Sequence, residues 1–197
     1  MYKYIGILIF SVVFIWSGIN PKDYFTWVLE VFPAIIGAFI LLATYKTFKL
    51  TSLLYFFILL HCIILMVGGH YTYAEVPLFD TIKDIFHSDR NNYDKLGHFF
   101  QGFVPALLAR EILIRKNIIN GRAWLNYCVI SIVLAFSAFY ELIEWWVAIG
   151  TGENAEAFLG TQGYQWDTQS DMAFALLGGM VSLVSLTSLH DKQLKKL

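Results

Sequence analysis

Charge is what this sequence has least of. Only 15% of its 197 residues are Asp, Glu, Lys or Arg, against about 25% in an ordinary soluble domain. Neither sign dominates: 14 basic and 15 acidic residues leave a net charge of −1. That excludes the basic footprint of a nucleic-acid-binding surface. Cysteine is nearly absent. Cys62 and Cys128 both fall in hydrophobic blocks, whereas a zinc finger or a disulfide framework needs clustered or paired cysteines at loop positions. The two are read as small core residues. No Ser-His-Asp signature or other covalent-nucleophile motif is present.

What the chain has is hydrophobic residues, 57% of the total, in long blocks. Blocks of ~20 apolar residues are the mark of membrane spans. The sequence predicts an all-α polytopic transmembrane bundle in a single integral membrane domain, residues 1–197. Its six spans are at roughly 4–19, 25–44, 51–70, 94–114, 124–148 and 166–189. The first is short and follows Lys3, as a signal peptide would, but no A-x-A-like site follows it, so it is read as a retained span. Pro33 and Pro105 fall inside spans two and four, where neighbouring helices can satisfy the freed carbonyls.

Orientation follows from where the basic residues lie. The N-terminus, the 45–50 loop, the 110–122 region and the C-terminus hold ten lysines and arginines, and the opposite side holds Lys22, Lys83, Arg90 and Lys95. The ten are placed in the cytoplasm, with both termini. Trp16, Trp27, Trp145, Trp146 and Trp166 then fall near outer span ends and Trp124 near an inner one, as interfacial belts do. Two outer loops are long. In 71–93, the stretch from Val76 to Phe86 reads as a short amphipathic helix lying on the membrane. The stretch 149–165 holds Gly150, Gly152, Gly160 and Gly163 and no Lys or Arg; it reads as a flexible connector or a mobile lid.

The polar residues inside the spans gather at one end. Asp94 and His98 stand four apart at the start of span four and share a helix face. Glu141 and Glu144 share a face of span five; Asp167 and Asp171 share one of span six. At ~1.5 Å per helical residue, His98, Glu141, Glu144 and Asp171 all lie about 6–10 Å in from the outer ends of their spans. Intramembrane ionisable groups are costly and face a bundle interior or a cavity. Carboxylates crowded at one depth need protons, basic partners or a cation. Lys95 and His98 supply two positive charges at most, and a divalent cation is the economical alternative. Carboxylates with one imidazole and no thiolate suit Mg²⁺, Mn²⁺, Ca²⁺ or Zn²⁺. The candidate ligands are Asp94, His98, Glu141, Glu144, Asp167 and Asp171, and the candidate catalytic set is His98, Glu141, Glu144 and Asp171.

Each group also has a structural reading. His98 can simply hydrogen-bond a neighbouring helix, and Glu141 and Glu144 can do so protonated. Asp94 and Asp167 can cap their helices, since Asp is a favoured cap. Asp171 is too deep to cap. Glu30 is deep enough in span two to join the cluster, with Gln101 and Tyr140 as supporting donors. His61 is placed mid-span, and His70 at the outer end of span three.

Three stretches carry a family resemblance: Tyr93-Asp94-Lys95-Leu96-Gly97-His98-Phe99, Tyr140-Glu141-Leu142-Ile143-Glu144-Trp145 and Asp167-Thr168-Gln169-Ser170-Asp171-Met172. With them the chain resembles, over about residues 25–190, the YjdF-like family of predicted bacterial inner-membrane proteins of unknown function. More remotely it is similar to VanZ-like proteins, which share the Asp-Lys-x-x-His start seen at Asp94, Lys95 and His98. They also share an Asp-rich last helix ending in glycines, here Asp167, Asp171, Gly178 and Gly179. VanZ-like proteins usually show Asp-Glu-x-x-Gln where this chain has Tyr140-Glu141-Leu142-Ile143-Glu144. The resemblance implies a multi-pass protein of the bacterial plasma (inner) membrane linked to the cell envelope, and in the VanZ case to glycopeptide tolerance. It implies no catalytic assignment.

Three functions compete at this stage. One is a metal-dependent membrane enzyme acting on a lipid or lipid-linked envelope substrate from the outer leaflet. The second is an ion- or proton-coupled transporter using the same carboxylates, for which His61 is the clear midplane group. The third is a non-catalytic envelope binding or assembly protein. The partners expected are membrane lipids and a lipid-linked substrate, with no nucleic acid.

Overall fold

The six apolar blocks become six long helices, joined by two short ones. The computed structural model describes residues 2–152, 156–159 and 161–197. The helices are α1 Tyr2–Gly18, α2 Tyr24–Thr44, α3 Ser52–Tyr71, α4 Pro77–Ile85, α5 Tyr93–Arg115, α6 Arg122–Thr151, α7 Glu156–Leu159 and α8 Asp167–Leu194. No strand occurs among the described residues. Four helices, α2, α3, α6 and α8, are long and apolar enough to cross a membrane. Helix α1 is apolar but shorter. Helix α5 is long enough but has Asp94, Lys95, Arg110 and Glu111 near its ends.

Burial runs opposite to a soluble protein. Val184, Phe39 and Leu42 are more than two-thirds exposed, while Glu30, Asp94, Lys95, His98, Arg110, Glu111 and Asp171 are buried. That is the pattern of a bundle whose outer surface meets lipid and whose interior carries the polar work. Helix α5 is central: fifteen of its 23 residues are buried. Its tightest partner is α8, which runs parallel to it. Lys95 meets Asp171 at one end and Arg110 meets Asp191 at the other. Between them the backbones touch. A Cβ on Gly102 would fall on the Ala175 carbonyl, and one on Gly178 on the Phe99 carbonyl. Small residues let membrane helices approach this closely.

Local signals set the helix ends. The Asp23 carboxylate accepts from the Thr26 backbone N–H at 2.6 Å and caps α2. Thr51 Oγ1 accepts from the Leu54 N–H and caps α3. Pro77 opens α4 at a position that needs no N–H donor. Helix α4 carries exposed Leu78 and Ile85, with exposed Phe86 at its C-cap, and sets half-buried Phe79 edge-on against Tyr93 at 5.1 Å. The amphipathic helix expected in that loop is present.

Several expectations are corrected. Helix α6 continues to Thr151, so Gly150 is helical. Gly160 lies outside the described residues. Among the described residues that follow it, Gln162 accepts from the Asn91 N–H at 3.0 Å and donates to the Asn91 carbonyl at 2.8 Å. Helix α8 runs five residues past its hydrophobic block because His190 and Asp191 bond Arg110, and Gln193 accepts from the Leu53 N–H. Trp27 is not purely interfacial; its Nε1 donates to Ser17 Oγ at 3.1 Å and ties α1 to α2. Cys62 is a core residue, packed with Val31, Ala34 and Met66, whereas Cys128 is half-buried and borders the Val129 cluster.

Candidate functional site

One end of the bundle, where α5 and α8 begin and α6 finishes, brings the predicted acids together around His98. The ring is held by Gln101 one turn on, with His98 Nδ1 2.9 Å from Gln101 Oε1. An amide oxygen only accepts, so Nδ1 carries a proton and donates. Nε2 then faces two carboxylates, Asp94 Oδ1 at 3.3 Å and Asp171 Oδ1 at 3.9 Å. One ligand atom from each of Asp94, His98 and Asp171 lies within 4.8 Å of the others, and all three residues are buried. A ring nitrogen facing two carboxylate oxygens needs positive charge between them, a proton or a metal ion.

The other predicted residues surround this trio without joining it. Glu141 Oε1 lies 3.8 Å from His98 Nδ1, the nitrogen on the opposite side of the ring. That oxygen is buried and has no hydrogen-bond partner, and the same is true of Asp94 Oδ2. Glu144 is buried within electrostatic range of His98 and Glu141, but makes no ion pair within 4 Å among the described residues. Asp167 does not cap α8. The cap position is Trp166, with no side-chain bond, and Asp167 instead accepts from Arg90 Nη1 at 2.6 Å and Lys95 Nζ at 2.7 Å. Asp94 likewise sits inside the first turn of α5, where Asn92 holds the cap position. Lys95 Nζ also donates to Asp171 Oδ1 at 2.6 Å. Glu30 joins from α2, buried beside Tyr73 and Tyr140 and in range of Asp94 and His98.

Arg90 is the member that sequence reasoning missed. It sits in the loop before α5 and was counted only as an outer-side charge. Its spacing of four from Asp94 was a visible signal, and the two stand 3.8 Å apart. With it, six buried carboxylates (Glu30, Asp94, Glu141, Glu144, Asp167 and Asp171) share three basic groups, Arg90, Lys95 and His98. The acid excess persists even with His98 charged.

Beside the cluster is a cavity of about 840 Å³ between α5 and α8. Its wall includes Arg90, Lys95, Ser170, Leu96, Phe99 and Phe174, and Gln162, Gly163 and Tyr164 border it from the loop. Asp94, Asp167 and Asp171 do not line it; they lie behind Arg90 and Lys95.

The opposite ends of α5 and α8 hold a second polar cluster, which the sequence reading did not identify. Glu111 accepts from Thr51 Oγ1 at 2.8 Å and Arg115 at 2.8 Å, with His190 Nε2 at 3.0 Å. Arg110 Nη1 lies 3.1 Å from His190 Nδ1. A guanidinium only donates, so His190 Nδ1 is placed to accept from Arg110 and Nε2 to donate to Glu111. Glu111 and Asp191 balance Arg110 and Arg115. This cluster closes electrically, and the outer one does not.

Fold and site together define an all-helical integral membrane protein built around a buried Asp/His/Asp group. The chain belongs to the predicted membrane protein family DUF2238, which matches residues 2–192. It is 52% identical over 189 residues to inner membrane protein YjdF of Escherichia coli (strain K12), covering 96% of this chain and 90% of that one. It is a multi-pass protein of the bacterial inner membrane. No solved structure matches it.

Proposed function

We propose that the protein is a metal-dependent membrane enzyme acting on a lipid or lipid-linked envelope substrate, with Asp94, His98 and Asp171 holding a divalent cation. The observation that carries this is the face-to-face arrangement of His98 Nε2 with Asp94 Oδ1 and Asp171 Oδ1. Gln101 fixes the tautomer that presents the Nε2 lone pair, as second-shell partners of metal-bound histidines do. Three protein ligands leave coordination positions open for water and a substrate oxygen. A metal there would activate that water or polarise a phosphoryl or carbonyl group. Glu141 Oε1, which has no hydrogen-bond partner beside the ring, is placed to take up a proton.

In this reading all six long helices span the membrane, both termini are cytoplasmic, and the cluster lies at outer-leaflet depth within one domain. A carrier would need polar groups through the midplane. The middle of α5 from Phe103 to Ala109 is apolar, and α5 meets α8 there backbone to backbone, which favours chemistry at one face over transport.

The test is elemental analysis of purified protein, followed by melting with chelator and with Mg²⁺, Mn²⁺, Ca²⁺ or Zn²⁺ restored. A ligand that binds only the native state raises its stability by mass action. Asp171→Asn should abolish the metal-dependent rise in Tm. Glu141→Gln should leave most of it, since Glu141 faces the other nitrogen. Protein that contains no metal and melts identically in all conditions ends this reading.

A further inference from the structure

The cavity between α5 and α8 has a built polarity. Its water-facing rim carries Asp89 and Asn92, both exposed. Further in stand Arg90 and Lys95, whose side chains are 13% and 7% exposed. One helical turn deeper are Phe99 and Phe174, four residues beyond Lys95 and Ser170, with Leu96 between. Polar rim, buried cations and apolar wall follow one another along the helix axes. That is the order of head and tail in a membrane amphiphile. Sites for drug-sized ligands occupy ~300–1,000 Å³, so about 840 Å³ admits a head group and the first part of a chain.

The charge of the head follows from which groups reach the cavity. Asp94, Asp167 and Asp171 are not in the cavity wall, so past the Asp89 rim a ligand meets Arg90 and Lys95 and none of the deep carboxylates. Lys95 has three N–H donors and spends two on Asp167 and Asp171. Tyr164 lies over both cations, its ring centroid 5.6 Å from the Arg90 guanidinium and 5.9 Å from Lys95 Nζ. It is held on a loop that Gln162 pins to Asn91.

We infer that this cavity binds a membrane amphiphile with a phosphate head, the head on Arg90 and Lys95 beneath Tyr164 and the chain against Leu96, Phe99 and Phe174. The inference rests on the reading above for its sense, since it names the substrate class of the same outer site, with Lys95 joining cavity to cluster through Asp171. The binding step itself needs no metal. Two natural sources share this chemistry, a bilayer phosphodiester lipid and a lipid-linked phosphate monoester.

Full-length protein in neutral detergent, treated with chelator, is titrated with dodecyl phosphate while Tm is followed. Dodecanol supplies the tail without charge, inorganic phosphate the head without tail, and dodecyltrimethylammonium the opposite charge. Dodecyl phosphate alone should raise Tm, and Ser170→Phe, which fills the cavity, should weaken its apparent affinity at least tenfold. Should that variant not fold, a diazirine-tailed alkyl phosphate gives the readout. It should label peptides containing Phe99 and Phe174, and excess dodecyl phosphate but not dodecanol should compete.

Competition by phosphatidylglycerol assigns the diester source, and competition by farnesyl phosphate alone the monoester. Competition by neither overturns the inference, as do equal effects of dodecanol, an unchanged affinity in Ser170→Phe, or binding that requires added metal. Alkyl phosphate binding by a protein that never takes up metal would sustain this inference while the metal reading falls. Metal-responsive melting with no alkyl phosphate effect would do the reverse.

Discussion

Lys95 and His98 converge on one atom. Lys95 Nζ donates to Asp171 Oδ1 at 2.6 Å, and the same oxygen stands 3.9 Å from His98 Nε2. A metal taking Asp171 Oδ1 and His98 Nε2 must therefore share that oxygen with an ammonium or displace it. Lys95 is a tethered cation in the position a free one would enter.

Lys95→Met should accordingly have opposite effects in the two states. In chelator it leaves Asp167 and Asp171 short of a partner, and breaking a buried pair this way costs about 3–5 kcal/mol. With metal present the competitor is gone, so apparent metal affinity should rise about tenfold, or ~1.4 kcal/mol. Denaturant melts with and without metal check both signs. Weaker metal binding in Lys95→Met would show that the ammonium supports the site instead of competing for it.

The contact between α5 and α8 makes a second expectation. Gly102→Ala and Gly178→Ala each place a methyl group on a facing carbonyl, where nothing flexible can yield. Overpacking of this kind costs typically ~1–3 kcal/mol. Both variants should melt lower and respond less to metal, because the ligands come from the two helices being pushed apart. Gly37 is the control. It is helical and meets nothing within 4 Å, so Gly37→Ala should be neutral or stabilising by about 0.5–1 kcal/mol.

Acid stability has a local contributor at Asp23. Its carboxyl is held below the ordinary carboxylate value by the Thr26 backbone N–H that donates to it. A depressed carboxyl stabilises the fold above its unfolded pKa, about 3.9, and that contribution fades as pH falls through the lower folded value. Asp23→Asn keeps the cap without the charge and should flatten the fall in Tm below about pH 4. Asp23→Ala should cost ~0.5–2 kcal/mol at neutral pH. Melting curves across pH 2–7 separate the two.

Topology is tested by labelling. In a background with Cys62 and Cys128 replaced by alanine, Ile85→Cys should react with an impermeant maleimide in intact cells, and Ile119→Cys should not. Labelling at 119 would invert the orientation and move the Asp/His/Asp group to the cytoplasmic side.

The helices were legible because their signal is local. Runs such as Leu53 to Leu65 need no partner to be read as spans, and Asp94 with His98 share a face by spacing alone. The depth argument also grouped Glu141, Glu144 and Asp171 with His98, and the structure has all four at one end of the bundle. What the sequence could not show is pairing across distance. Arg90 finds Asp167 77 residues away, and Glu111 finds His190 79 residues away. Asp167 looks like a cap in one dimension, because the basic groups that claim it belong to another helix. Gly102 and Gly178 look unremarkable until Ala175 and Phe99 stand opposite them.

The start of α3 has a consequence for how the chain is made. Thr51 caps the Leu54 N–H locally, but two neighbouring amides are closed from far away. The Thr51 N–H is accepted by Glu111, at 3.1 Å to Oε1, and the Leu53 N–H by Gln193 at 2.9 Å. The third helix is therefore finished by the fifth and the eighth, and its last acceptor is synthesised about 140 residues after it. During biogenesis this end of α3 must stay at a water-accessible interface, or borrow a chaperone's polar groups, until residue 193 arrives. A quality-control system that samples exposed backbone near the membrane would thus read the completeness of this protein at Thr51, far in sequence from the segment whose arrival it awaits.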